Sequence, residues 1–331
     1  QSLRVNTSGN NNSAFGYQSL QVNTSGNNNS AFGYQSLRVN TSGNNNSAFG
    51  YQSLQVNTSG NNNSAFGYQS LRVNTSGNNN SAFGYQSLYN NVNGIYNCAF
   101  GYESLYSNTS GGSNSAFGKD SLYSNTSGGS NSAFGFQSLL YNTTGNNNSA
   151  FGFQSLYRNT SGVSNSAFGK DSLYSNTTGN GNSSIGDQSL YSNNTGSDNT
   201  GIGFHSLRLN LTGDKGVAVG YQALYSNTQG NNTAVGAEAL KNASSGCYDN
   251  TAIGYQAGSG IYSGQYNSTS LGARSLATEN NQIKFGDNIV HWTFGGMVAY
   301  ANNAAALLGG LIVGDIYYTN VGGDGILKIV I

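Results

Sequence analysis

The sequence has no proline at all, only 7% charged side chains, one Trp, one Met, two Cys and two His in 331 residues. Each shortage excludes something. With 12 basic against 12 acidic residues, no net field is available to gather nucleic acid or an anionic bilayer, so neither is expected as a partner. No apolar run reaches the ~18 residues of a membrane span, and no basic start followed by an apolar stretch reads as a leader. Disorder fits badly too, because disordered chains are rich in proline and charge and poor in aromatics, whereas aromatics here make up 12%. Cys98 and Cys247 fall at different places of the internal repeat, about 43 Å apart at the usual inter-strand spacing, beyond disulfide reach. They are read as packing residues.

What the chain does have is Gly, Asn, Ser and Thr in a strict order. The unit Q-S-L-R-V-N-T-S-G-N-N-N-S-A-F-G-Y recurs almost unchanged through the first five copies. The register then runs in steps of 17 through Gln86, Glu103, Asp120, Gln137, Gln154, Asp171, Gln188, His205 and Gln222, and loosens to 16, 18 and 18 at Glu238, Gln256 and Arg274. Such a period is too short for a helix pair, and its run of Gly and Asn rules out a heptad coil. Strands with tight corners remain. Ser2-Leu3-Arg4-Val5 alternates as a strand with one buried face, Asn6-Thr7-Ser8-Gly9 reads as a turn with Gly9 at positive φ, and Asn12 to Phe15 reads as a second strand. A bend at Gly16, Gly33, Gly50 and their equivalents would bring Phe and Leu to the same side. Stacked coils then form core ladders of Leu3, Leu20 and Leu37 and of Phe15, Phe32 and Phe49, with Asn ladders beside them. The expected fold is all-β, a parallel β-solenoid or β-roll of 17-residue coils over residues 1–276, followed by a small α+β cap or tip over 277–331.

Only three or four apolar side chains per coil are offered to a core. Large buried side chains stabilise by roughly 1.5 to 3 kcal/mol each, against roughly 1 to 2 kcal/mol of backbone entropy per ordered residue. On this count a single roll is marginal, and three parallel chains sharing one interior, a homotrimer, is the expected assembly, with end-to-end joining into a filament as a further option. Gln1 lies inside a repeat whose later copies begin with Tyr, as in Tyr17-Gln18-Ser19-Leu20, so an anchor or export signal is expected upstream.

The element A-F-G-Y-Q-S-L, with A-V-G-Y-Q-A-L at 218–224 and A-I-G-Y-Q-A-G at 252–258, resembles the left-handed parallel β-roll repeats in the heads of trimeric autotransporter adhesins, which have shorter coils. The N-T-x-x-G-N-x-N-x-A-x-G-Y arrays are similar to those of phage and other viral tail fibres. The C-terminal string A-Y-A-N-N-A-A-A-L-L-G-G-L-I-V-G-D-I-Y-Y-T-N is similar to small tip modules of phage structural proteins. That resemblance implies a trimeric cap and favours a viral fibre over an autotransporter. Within this segment Asn281–Gly286 reads as a last rung, His291–Phe294 as a short strand, Ala299–Leu308 as a short helix, and Leu311–Tyr318 with Gly325–Ile331 as two strands.

Catalytic and metal chemistry find little to work with. Asp187 and Asp198 are a close acid pair in one coil, and nothing else accompanies them as a glycosidase pair would require. His205 and His291 lack clustered Cys, Asp or His for a metal. Ser110-Gly111-Gly112-Ser113 reads as a turn, not a phosphate loop. No catalytic, cofactor or metal residue is assigned. The tyrosines after the repeat Leu, among them Tyr106, Tyr123 and Tyr174, read first as a ladder that packs on itself and second as a sugar-stacking stripe. Trp292, Tyr317 and Tyr318 are the candidate contacts of a tip with a cell-surface glycan or receptor. The expected function is therefore a non-enzymatic fibre shaft at a virion surface or outside the cell. The alternatives are an extracellular filament or trimeric adhesin of a bacterium, or an ice-binding solenoid, which would need flat paired Thr ladders.

Overall fold

The computed structural model describes residues 2–286 and the backbone of two later strands, Ile316–Thr319 and Ile326–Ile329. The chain divides into two units, 1–287 and 288–331. In the second, the two strands pair antiparallel, Ile316 opposite Ile329. The expected elements at 291–294 and 299–308, and Trp292 with them, lie outside the described residues; of Tyr317 and Tyr318 the structure gives the strand position alone.

The first unit is a parallel β-solenoid without a helix among its described residues. Its spine is a three-residue strand, Ser13–Phe15, repeated in every coil to Ile283–Phe285, seventeen strands in all. Each pairs in parallel with its counterpart one coil on, as Ser30 with Ser47, Ala31 with Ala48 and Phe32 with Phe49. Where the coil length changes the pairing absorbs it: Val217 meets Thr233, Thr233 meets Thr251, Thr251 meets Thr269 and Thr269 meets Ile283. The rung at Ile283–Phe285 belongs to the solenoid, which therefore extends past residue 276.

A second, narrower sheet of five two-residue strands, Val5–Asn6 through Val73–Asn74, exists only where a β-branched Val occupies that position. The expected strand over Ser2–Val5 is not formed. Leu3 instead has φ 46°, and the repeat Leu positions through Leu240 follow it, Leu20 at 44° and Leu37 at 45°. Leu is disfavoured in the left-handed region by roughly 1 to 2 kcal/mol. Complete burial of Leu20 and Leu37, worth roughly 1.5 to 3 kcal/mol each, offsets that strain.

The repeat Phe does not enter the core. In the strand Ser30-Ala31-Phe32 the side chains alternate, so Ala31 is the inward one and is fully buried, while Phe32 is 38% exposed and Phe15 75% exposed. The interior is one Leu wide, and Leu from the corner facing a strand Ala fills it, with no room for a ring. The corner that was expected to bring Phe and Leu together keeps them on opposite sides, since Gln35 at φ 53° and Leu37 at φ 45° turn the chain after Gly33. Leu3, in the first coil, is only partly buried against the core.

Polar groups complete the interior. Asn40 donates from Nδ2 to Asn23 Oδ1 at 2.7 Å and to Gly43 O at 2.8 Å. In a second buried row, Asn46 donates from Nδ2 to Asn29 Oδ1 at 3.1 Å and to Gly60 O at 2.9 Å, and its backbone N–H reaches the same Asn29 oxygen at 2.9 Å. Counting apolar residues alone therefore understates what one coil can bury, because hydrogen-bonded Asn ladders share its interior with Leu and Ala. Each coil closes around its own Leu, Ala, Asn and Ser.

Two glycines per coil have different reasons. Gly33, at the corner, has φ 134°, and a Cβ there would lie 2.4 Å from Gly50 O; Gly16 and Gly50 have φ 122° and 132°. Gly26, equivalent to Gly9, has no left-handed φ, contrary to expectation. It is small because a Cβ would sit 2.2 Å from Asn40 Nδ2 and 2.3 Å from Gly43 O. Close approach of the amide ladder, not backbone freedom, selects it.

Candidate interaction surfaces

The outside of the solenoid is a set of rows, each made of one repeat position. The strand position of Phe15 carries an apolar side chain in sixteen consecutive coils, Phe down to Phe168 and then Ile, Val or Leu from Ile185 to Leu271. Its rings stack, Phe49 on Phe66 with centroids 4.8 Å apart and planes within 2°. Two residues later lies another row, Tyr17 to Tyr102, in which Tyr34 and Tyr51 stack at 5.0 Å. This second row admits polar residues: Lys119, whose ammonium lies 5.4 Å from the Tyr102 ring centre and 5.8 Å from that of Phe136, then Lys170 and Asp187.

Tyr106, Tyr123 and Tyr174 belong to a third row. Tyr106 stacks on Tyr123 at 5.2 Å, and Tyr174 on Tyr157 at 4.9 Å. Burial in the stack, ahead of repulsion from neighbouring groups, raises the phenol pKa of Tyr106 and Tyr123. Tyr157 is pushed up to about 12, first by burial and then by its hydrogen bond with Tyr141. The tyrosines pack on one another, leaving ring edges, not faces, toward solvent along most of the row.

In the first five coils this third row alternates Arg4, Gln21, Arg38, Gln55, Arg72. The neutral residue separates cations that would otherwise stack one rung apart, and Gln55 also bonds to one of them: Arg72 Nε donates to Gln55 Oε1 at 3.0 Å, and Gln55 Nε2 donates to Gln35 Oε1 at 2.9 Å. Arg72 also reaches the hydroxyl of Tyr89, where the tyrosines begin. Beside it runs a Gln ladder, Gln35 Nε2 to Gln18 Oε1 at 2.7 Å and Gln52 Nε2 to Gln35 Oε1 at 2.9 Å.

Substitutions in that Gln ladder create the perturbed carboxylates and imidazole. Asp171 is buried with one carboxylate oxygen unpaired; desolvation raises its pKa, although Lys170 Nζ lies 3.9 Å away. His205 has Nδ1 buried without a partner and its ring 3.7 Å from that of Phe204. Burial, then the charge of Arg208, lowers its pKa, and Asp187 opposes them. Glu238 has its pKa lowered by donation from Gln256 and Lys241.

The acids picked out in sequence do not converge. Asp198 sits exposed at a left-handed corner with φ 58°, and Asp187 lies in the outer Tyr row. Among the described residues no group of three or more His, Cys, Asp or Glu could hold a metal ion, and no helix is long and apolar enough to cross a membrane. Both cysteines are free; Cys98 takes the strand Ser position, where burial raises its thiol pKa, and Cys247 is buried. The turn threonines spend their hydroxyls on the next coil, Thr109 Oγ1 donating to Thr126 O at 2.9 Å and Thr143 Oγ1 to Thr160 O at 2.9 Å.

Sequence reasoning found the Asn, Leu and Tyr ladders and missed the outward sense of Phe and the Arg/Gln alternation. The latter was readable in the five near-identical copies, whose one regular difference is this position. Comparison with protein-family models, with curated proteins and with solved structures finds no match to this chain.

Proposed function

We propose that the chain is a structural shaft, a stiff non-enzymatic spacer of a virion tail or extracellular surface fibre that holds its C-terminal module at a distance. The observation that carries this reading is the unbroken register: seventeen strands, each paired residue for residue with the next. Seventeen rungs have sixteen spacings, about 77 Å at the inter-strand distance of ~4.8 Å. A repeat stack of this kind gains length by adding units without redesigning a core. Hydrogen bonds between coils and stacked rings supply stiffness along the axis. Three parallel copies, joined end to end in longer filaments, form the shaft in this reading, and Trp292, Tyr317 and Tyr318 of the terminal module meet a glycan or protein receptor.

Imaging of the purified protein tests it. Rods whose solenoid part measures about 77 Å, shortened by about 10 Å when residues 35–68 are deleted, are the expected result. Compact particles whose length ignores the deletion would remove the proposal. Gold labelling of intact particles and cells from the source should mark their surface.

A further inference from the structure

We propose that the row beginning at Phe15 is the seam along which further copies of this chain pack, parallel and in register. Two rows of outward aromatics lie two residues apart on every early coil, and they differ in one respect. The Tyr17 row tolerates Lys119, Lys170 and Asp187, so an outward position in this solenoid accepts charge. The Phe15 row is apolar in sixteen consecutive coils and changes only from Phe to Ile, Val and Leu. Folding of the single coil does not require this, since the row lies outside the closed interior. Phe168 is 40% exposed, Ile185 47% and Ile253 45%.

Size and period identify the occupant. If each member offers about two-fifths of a side chain of roughly 200 Å², the row exposes on the order of 1,000 Å². That exceeds the few hundred Å² usual for an apolar patch on a monomer and matches the roughly 800 Å² a stable interface takes from each partner. An occupant that fills the row along its whole length must present side chains at the same rise of ~4.8 Å over sixteen rungs. A second copy of this chain has that rise and that length. The parallel sense rests on the shaft reading, because copies that carry their terminal modules to one end must run the same way, as closed cyclic symmetry provides.

Cys98 supplies a native reporter. It stands at the outward strand position two residues before Phe100 and pairs with Ser81 and Ser115 of the adjoining coils. In a parallel, in-register seam the Cys98 thiols of neighbouring copies come together; in an antiparallel one they are several coils apart. The full chain is compared with F66K/F100K/F134K and with the milder F66S/F100S/F134S by light scattering, with circular dichroism as the check on folding. The parent, in a C247A background, is oxidised with copper phenanthroline.

The expected results are a particle of three times the 34.5 kDa chain mass, a threefold loss of mass in the Lys variant with unchanged dichroism, a partial loss in the Ser variant, and a Cys98-linked dimer on a non-reducing gel. A monomeric parent, or Ser and Lys variants that keep the parent mass, would overturn the seam. Dissociation by Lys without any Cys98 cross-link would overturn the parallel register. Rods seen by imaging alongside either failure leave the shaft reading standing, and compact particles with an intact seam defeat the shaft alone.

Discussion

Asn40 lies one rung from Asn23 and gives it a 2.7 Å amide hydrogen bond inside a wall that no water reaches. Asn57 then does the same to Asn40 at 2.7 Å. Replacing Asn40 by the bulkier, apolar Leu takes from Asn23 Oδ1 its amide donor, while Gly43 O keeps Asn29 Nδ2 and Asn57 Nδ2 keeps Gly60 O, each losing one of two bonds. Unsatisfied buried groups cost about 1 to 3 kcal/mol each. The variant is expected to lose at least about 2 kcal/mol in urea unfolding, with amide exchange quickened in the flanking coils first, whereas the exposed T41A changes stability by less than about 0.5 kcal/mol. Equal behaviour of the two variants would mean that the ladder carries no stability.

Glycine tolerance separates the two reasons for glycine. G43A brings a Cβ to 2.2 Å from Asn57 Nδ2 and 2.4 Å from Gly60 O without any left-handed φ, while G50A meets Gly67 O at 2.3 Å and also φ 132°. In the background N57A the nearest side-chain obstacle to G43A is gone, leaving Gly60 O at 2.4 Å and Asn40 Oδ1 at 2.5 Å. Double-mutant cycles should therefore show coupling of about 1 kcal/mol or more between G43A and N57A, and less than about 0.5 kcal/mol between G50A and N57A. Additivity in both pairs would refute the spatial argument for Gly43.

Charge spacing predicts a salt effect. Q21R/Q55R converts the first five coils to an uninterrupted row of five arginines at positions 4, 21, 38, 55 and 72. Directly opposed like charges destabilise by a few tenths to about 1 kcal/mol per pair, so a loss of about 1 to 3 kcal/mol is expected at low ionic strength. Much of it should return at 0.5 M salt as screening shortens the reach of each charge. A loss that salt does not relieve would point to the missing Gln55 hydrogen bonds instead.

Two substitutions in the Gln ladder give opposite pH signatures. His205 has its folded pKa below the ordinary 6.5, so the unfolded chain takes the proton first as pH falls. Stability then rises with pH in the window just under 6.5 and is level above it. H205Q should flatten that slope in unfolding titrations between about pH 5 and 7. Asp171 has its folded pKa above 3.8. The folded state holds its proton longer, so stability falls as pH rises from 3.8 through that raised value, and the penalty persists at neutrality. D171Q should stabilise at pH 7 and lose its advantage on acidification. Parallel curves for variant and parent would contradict either assignment.

The period, the parallel stack and the Asn and Leu ladders were legible because repeats print the same physics seventeen times. Direction was harder. Leu3 in the left-handed region breaks the alternation rule that placed Ser2–Val5 in a strand, and with it the reading that Phe and Leu share a side. A period-two pattern identifies faces only while the backbone stays extended. The same error distorted the apolar count of one coil, with Phe placed inside and the buried Asn23 and Asn29 left out. The surface rows were visible as letters, but which of them faces outward depends on the corner geometry, and corners made by non-glycine residues at positive φ leave little trace in composition.

The arginine and glutamine alternation makes two coils, not one, the electrostatic unit of this segment. Near-identical tandem copies recombine unequally, and a slip of one coil joins either two arginines or two glutamines. A slip of 34 residues restores the original order. Natural length variants of this stretch should thus differ by even numbers of coils, giving a solenoid whose length is set in increments of about 10 Å by a rule written in charge rather than in the backbone.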